Sequence, residues 1–159
     1  MKFISWNIDS INAALTSTSA RSELSRNVLE MIKQEDADII AIQETKLPEA
    51  GMTDKQREIL LSYFPNYKIE LVSSAFPAKK SYAGTMVLYK DLYEAKVSKP
   101  SIGAPDTMDL EGRLLCLEFK DFYFVNVYTP NAGDGLERLK ERQEWDKCYA
   151  NYLTSLDKE

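Results

Sequence analysis

The sequence contains no histidine. That removes the commonest general base near neutral pH and the commonest zinc ligand. Hydrolytic chemistry would have to rest on carboxylates, amides, phenols or a bound ion. Cysteine is scarce too. Cys116 and Cys148 stand far apart without metal-ligand spacing, and Cys116 reads as a small buried apolar residue in a strand pattern. A disulfide-free protein of the cytoplasm is the expectation. Positive charge is in deficit, with 20 Lys and Arg against 25 Asp and Glu and a net charge of −5. Such a body has no bulk attraction for nucleic acid, which is bound through Lys and Arg contacts to phosphate. Any nucleic-acid face must be a local basic patch. No apolar run reaches membrane-spanning length, and Met1-Lys2-Phe3 leads into a strand pattern without a signal peptide. There is no repeat, low-complexity segment or linker.

What remains suits one α/β domain of 159 residues, 44% of them hydrophobic. Residues 2–7 read as a buried strand, 12–19 as a loop, and Arg21–Lys33 as a helix with Leu24, Val28, Leu29 and Ile32 on its inner stripe and Ser17, Thr18 or Ser19 as its cap. Ile39–Ile42 follows as a second strand, completing a strand–helix–strand unit. Thr53 and Gln56 form a capping-box pattern that opens a second helix, with Ile59, Leu60, Tyr63 and Phe64 inward. Strands are expected at Tyr67–Val72, Gly84–Tyr89, Tyr93–Val97, Leu114–Phe119 and Phe122–Val127. The stretches Ser73–Tyr82 and Ser98–Gly112 are longer loops, and Leu136–Leu156 is a closing helix with Leu139, Trp145, Tyr149, Leu153 and Leu156 roughly in register. The expected fold is α/β, a mixed sheet with helices on one face.

Three of these strands end alike. Phe3-Ile4-Ser5-Trp6 runs into Asn7-Ile8-Asp9, Ile39–Ile42 into Gln43-Glu44-Thr45-Lys46, and Phe122–Val127 into Tyr128-Thr129-Pro130-Asn131-Ala132-Gly133. Open α/β sheets place their sites at such carboxyl edges. Glu44 and Asp9, at the ends of two strands, are oxygen donors suited to a hard cation such as Mg²⁺, with Mn²⁺ as the alternative; each alone reads as a solvated carboxylate. Lys46 points to the same side and is placed to hold Asp9 from behind the metal, or is a surface lysine. Asn7 and Asn131 flank the site, where turn chemistry also favours Asn. Tyr128 is either a packed aromatic or a phosphate contact, and Arg113 either a salt-bridge partner or a phosphate contact. Lys79, Lys80 and Tyr82 form a basic–aromatic loop, a solvated loop or a nucleic-acid contact.

Trp6-Asn7-Ile8-Asp9, Gln43-Glu44-Thr45-Lys46 and Tyr128–Gly133, in this order and spacing, resemble the exonuclease III family of DNA-repair nucleases within the endonuclease/exonuclease/phosphatase superfamily. Tyr82-Ala83-Gly84, Glu111-Gly112-Arg113 and Leu139 through Arg142 to Trp145-Asp146 add to the resemblance, which spans essentially the whole chain. The first two motifs mark only the superfamily; Glu-Thr-Lys and Tyr-Thr-Pro-Asn-Ala-Gly point to the repair branch. The resemblance implies a DNase I-like four-layer α/β sandwich and Mg²⁺-dependent hydrolysis of the phosphodiester bond 5′ to an abasic site. The implied partner is double-stranded DNA with abasic sites or 3′ ends. It casts Glu44 as principal metal ligand, Asp9 beside the metal and Lys46 behind it. Asn7 becomes the amide that orients a catalytic aspartate. Tyr128 and Asn131 become contacts to the scissile phosphate, and Arg113 and Tyr82 contacts to the DNA backbone.

Members of that family are substantially longer. Their second half carries an Asp-x-Asn pair that positions water, a further aspartate and an Asp-His pair, and residues 1–159 hold no counterpart. The chain therefore reads as the N-terminal half of such a domain, with its C-terminal half missing. The expectations are weak or no catalysis alone, an apolar sheet face left uncovered, and self-association. A non-catalytic DNA- or phosphate-binding domain, and a lipid or nucleotide phosphodiesterase, are the alternatives.

Overall fold

Period-two alternation in Ile39-Ile40-Ala41-Ile42 determines the layering, because its two faces are buried against different partners. The computed structural model describes residues 1–156. Strands β1 (Phe3–Asn7), β2 (Ile39–Gln43), β3 (Tyr67–Val72) and β4 (Thr85–Lys90) form one sheet in the order β1-β2-β4-β3. β1 and β2 are parallel, and β4 is antiparallel to both its neighbours. Ile40 and Ile42, with Met86 and Leu88, face helices α1 (Ile11–Leu15), α2 (Ala20–Glu35) and α3 (Asp54–Tyr63), where Leu29, Leu60 and Phe64 complete the core. Ile39, Val87 and Tyr89 face the other way.

That second face is covered by the chain itself. Strands β5 (Lys96–Ser98), β6 (Leu114–Glu118) and β7 (Tyr123–Val127) form a separate antiparallel sheet in the order β5-β6-β7. Its Leu115 and Leu117, with Phe119, pack on Ile39, Val87 and Tyr89. On its outer side Leu114 meets Trp145 of helix α4 (Leu139–Ser155). The layers are thus helices, four-stranded sheet, three-stranded sheet and helix. The expected α/β class and mixed sheet hold, and each sheet carries helices on one face only. The single sheet with a bare apolar face does not hold. A full side chain buried at such an interface contributes about 1.5–3 kcal/mol, so the strands separate into two layers that bury each other.

Local signals hold where they are short-range. Ser19 caps α2, its hydroxyl accepting from the Ser22 amide at 3.2 Å. The Thr53–Gln56 capping box is complete, with Gln56 N donating to Thr53 Oγ1 at 3.2 Å and Thr53 N to Gln56 Oε1 at 2.9 Å. Other expectations need correction. Residues 11–15 are a short helix rather than loop, because Ile11, Ala14 and Leu15 are buried on α2 and α3. Leu24 is 67% exposed; Ser22, Ser25, Leu29 and Ile32 form the buried stripe of α2 instead. The closing helix begins at Leu139, not Leu136. Leu139 and Leu153 are exposed, so only Trp145 is fully buried in α4. β5 starts at Lys96 rather than Tyr93, because Tyr93 turns to Asp38, its hydroxyl donating to Oδ1 at 2.9 Å.

β1 and β7 are edge strands of the two sheets, and the Phe3 and Phe124 rings lie 5.5 Å apart between centroids. Phe3 remains 50% exposed. Paired apolar edges are templates for strand addition. The chain is therefore expected to self-associate with rising concentration in sedimentation velocity, and a Phe3→Lys substitution to shift it toward monomer. A wild-type chain that stays monomeric at high micromolar concentration contradicts this.

Candidate active site

The carboxyl ends of β1 and β2 deliver Asp9 and Glu44 to one place because the strands are parallel neighbours in register, Asn7 opposite Gln43. Backbone hydrogen bonds lace the following loops together. Ser10 N donates to Glu44 O, Ile11 N to Thr45 O, Lys46 N to Ala83 O, and Gly84 N to Glu111 O, all between 2.9 and 3.2 Å. The geometry demands unusual backbone. Asp9, Ser10, Glu44, Lys46, Ser81 and Ala83 all have positive φ, a sparsely populated region for residues with a Cβ that concentrates at functional sites. Gly84 has no alternative: its φ is +83° and a Cβ there would lie 2.5 Å from Thr45 Oγ1.

Lys46 lies between the two carboxylates. Its ammonium donates to Asp9 Oδ1 and lies 3.2 Å from Glu44 Oε1. The other oxygen of Asp9 accepts from Arg21 at 2.5 Å. The hydrogen bond from Lys46 holds the Asp9 carboxyl below its ordinary range, against the opposing effect of burial, and the same bond raises Lys46. Asp9 and Lys46 are therefore both charged at neutral pH. The depressed Asp9 contributes stability above its unfolded value of about 4, lost as pH falls through its lower folded value.

Tyr128, one residue past β7, brings its hydroxyl against Glu44; burial first, and then Glu44, push that phenol up to about 12. It is a neutral donor at physiological pH. Burial also raises Tyr67, Tyr89 and Tyr149. A raised phenol contributes stability that is complete below about pH 10, the unfolded value, and is lost as pH rises through the folded one. The chain is expected to unfold in alkali across about pH 10 to 12 by circular dichroism, with Tyr128→Phe shifting the midpoint upward. Undiminished stability at pH 12 contradicts this.

Arg113 stands behind the site rather than on its surface. It is 3% exposed, and all three of its guanidinium nitrogens are engaged. Nε donates to Glu111 Oε2 at 2.6 Å, one terminal nitrogen to the Tyr128 carbonyl at 3.1 Å, and the other to the Tyr82 hydroxyl at 3.4 Å. Its Cζ lies 5.5 Å from the Tyr82 ring centre and 5.1 Å from that of Tyr128, within cation–π range of both. Glu111 is itself buried and also accepts from Thr107 Oγ1 at 3.1 Å. This geometry fits the ion-pair reading of Arg113 and leaves its guanidinium no exposed donor for a DNA backbone. Tyr82 is partly exposed, and Lys79 lies 5.2 Å over its ring.

Asn7 and Asn131 both use their side-chain oxygen locally, accepting from Asp9 N at 3.1 Å and Gly133 N at 2.7 Å. The turn chemistry is present, and each side-chain NH₂ is the part that can serve a ligand. Arg21 and Asn126 were not singled out from sequence, and Gln43 and Glu111 entered only as members of motifs. Asn126 carried a signal, as the one polar residue in the apolar run Phe122–Val127.

The candidate donors are all oxygen, the chemistry a hard divalent cation takes; among the described residues no group of three or more His, Cys, Asp or Glu side chains is arranged to hold a metal ion by itself. Mg²⁺ is commonly held by one or two carboxylates, with waters and substrate phosphate completing the shell. Glu44, whose side chain is 20% exposed and lies 3.2 Å from the Lys46 ammonium, is the carboxylate that could hold such an ion. Asp9, paired with two cationic side chains, is better placed to orient than to ligate.

The sequence matches the endonuclease/exonuclease/phosphatase family over residues 4–156. It is 62% identical over 159 residues to an exodeoxyribonuclease of Streptococcus pneumoniae, covering 100% of this chain and 58% of that protein. It is 33% identical over 157 residues to the DNA repair nuclease APEX1 of Danio rerio, covering 99% of this chain and 45% of that one. The fold is similar to that of an AP endonuclease from Archaeoglobus fulgidus, with a TM-score of 0.69 at 19% identity, covering 99% of this chain and 52% of that structure. The chain therefore spans about half the length of the relatives it matches.

Proposed function

This chain belongs to the endonuclease/exonuclease/phosphatase family, and we propose that it forms the N-terminal portion of a Mg²⁺-dependent DNA-repair phosphodiesterase. The reaction is hydrolysis of the bond 5′ to an abasic site, with 3′-to-5′ exonuclease action at DNA ends, in the cytoplasm. The observation that carries this reading is the convergence of Glu44, Asp9, Lys46 and Tyr128 at adjacent strand ends.

Each group then has a task. Glu44 would hold the cation, which would supply charge stabilisation at the phosphate. Lys46 keeps Asp9 and Glu44 in place, and Arg21 neutralises the remaining Asp9 oxygen. The neutral Tyr128 hydroxyl and the Asn131 NH₂ donate to phosphate oxygens as charge develops on them. Arg113 and Glu111 act through Tyr82 and Tyr128, which they hold. The exposed Lys79 and Lys80 give the local basic patch that an acidic body needs to approach DNA. None of these groups is given the task of activating water.

A substrate panel tests the class. A form extended past Glu159 through its native reading frame is expected to cut an abasic duplex at least 100-fold faster than a phospholipid or mononucleotide phosphodiester. Preference for either of the latter overturns the DNA-repair reading. DNA binding without cleavage by the extended form supports a non-catalytic phosphate-binding domain instead.

A further inference from the structure

Asn126 is 2% exposed in the layer between the two sheets, a region otherwise lined with Ile, Val, Leu and aromatic side chains. Burying a carboxamide there is costly unless its hydrogen bonds are made. They are made. Asn126 Nδ2 donates to the Ile42 carbonyl at 3.0 Å and the Met86 carbonyl at 2.8 Å. Its Oδ1 accepts from Gln43 Nε2 at 2.8 Å, and Gln43 Nε2 also donates to Ser5 Oγ at 3.0 Å. One side chain on β7 therefore engages β2 and β4 directly, and β1 through Gln43.

We infer that Asn126 and Gln43 are positioning residues, a polar key that fixes the docking of the second sheet on the first and so places Tyr128 against Glu44. The sequence spacing makes the connection short. Gln43 is followed directly by Glu44, and Asn126 is two residues before Tyr128. The hydrophobic effect that holds two apolar sheet faces together is non-directional and does not by itself specify one docking. A buried amide with directional partners is satisfied in one docking only. A slip would leave Asn126 unpaired and would move the phenol away from the carboxylate. The role of Gln43 in the Gln-Glu pair follows: it faces the key while Glu44 faces the site. The inference rests on the phosphodiesterase reading only for its consequence in catalysis.

The test compares Asn126→Leu, Gln43→Leu and their double variant with Leu117→Ala. The last removes buried volume from the same layer without touching the key. Two readouts are taken on the full chain: backbone amide shifts by ¹⁵N–¹H correlation NMR, and Mn²⁺ affinity by electron paramagnetic resonance. Key variants are expected to displace the amides of Glu44–Lys46 and Tyr128–Asn131 and to weaken Mn²⁺ about tenfold, the scale of residues that orient metal ligands. The double variant is expected to lose no more than the worse single one. Leu117→Ala is expected to lower stability while leaving both readouts close to wild type. Conservative Asn126→Ser, which keeps one donor, recovers part of the shift pattern. The proposal is overturned if folded Asn126→Leu leaves the site amides unmoved, or if Leu117→Ala moves them as far. Should Asn126→Leu fail to fold, partly exposed Gln43→Leu decides the question by the same amides. Wild-type failure to bind Mn²⁺ sinks the metal reading, while the amide shifts still decide the key.

Discussion

Glu111→Ala is expected to destabilise the chain by about 3–5 kcal/mol, because it strands a buried guanidinium. Arg113 is 3% exposed and its shortest bond is to Glu111 at 2.6 Å. Its two other partners, a carbonyl and a phenol, are neutral and cannot replace a carboxylate. The loss is expected to be asymmetric. Truncating Glu111 leaves a charge in low dielectric, whereas replacing both members with apolar residues removes the charge with its partner. A Glu111→Leu/Arg113→Met double variant is therefore expected to recover most of the stability in chemical denaturation. It would not recover the site, since Tyr82 and Tyr128 lose the planar cation between them. A loss under about 1 kcal/mol for Glu111→Ala is the scale of an exposed pair and would contradict the buried geometry.

Glu44→Ala has the opposite profile, a small change in stability with a large one in activity. The Glu44 backbone is held at positive φ by bonds from the neighbouring loops, and its side chain contributes to the site rather than to the core. In the extended protein, Mg²⁺-dependent cleavage of an abasic duplex is expected to fall by about 10³-fold or more. That corresponds to losing the several kcal/mol of charge stabilisation a bound cation supplies. Thermal stability is expected to move by no more than about 1 kcal/mol, as for substitutions outside the core. Cleavage retained within about tenfold of wild type would assign the cation to other residues.

Much of this was legible in the sequence because it is local. The Thr53–Gln56 box and the Ser19 cap involve neighbours in the chain. The three strand ends are legible because apolar runs stop abruptly at Asn7, Gln43 and Tyr128. The division of seven strands into two sheets was not legible, since alternation in Ile39–Ile42 says that both faces are buried but not by what. The short helix at Ile11–Leu15 depends on contacts with α2 and α3 rather than on its own five residues. Arg113 illustrates the limit at the site. Its sequence neighbour Glu111 suggested a salt bridge as much as a phosphate contact, and only the packing of Tyr82 and Tyr128 around it makes the buried pair. Arg21 gave no signal, because an arginine in the first turn of a helix is ordinary until the fold brings it to Asp9.

The most direct measurement is cleavage of a duplex containing one abasic site, with Mg²⁺ and then with chelator, by this chain beside a form extended past Glu159. Mg²⁺-dependent cutting by the extended form is expected, abolished by chelator, with this chain slower by orders of magnitude. Comparable rates for the two would show that residues 1–159 already hold every indispensable group. Cutting that persists in chelator would contradict the metal site at Glu44.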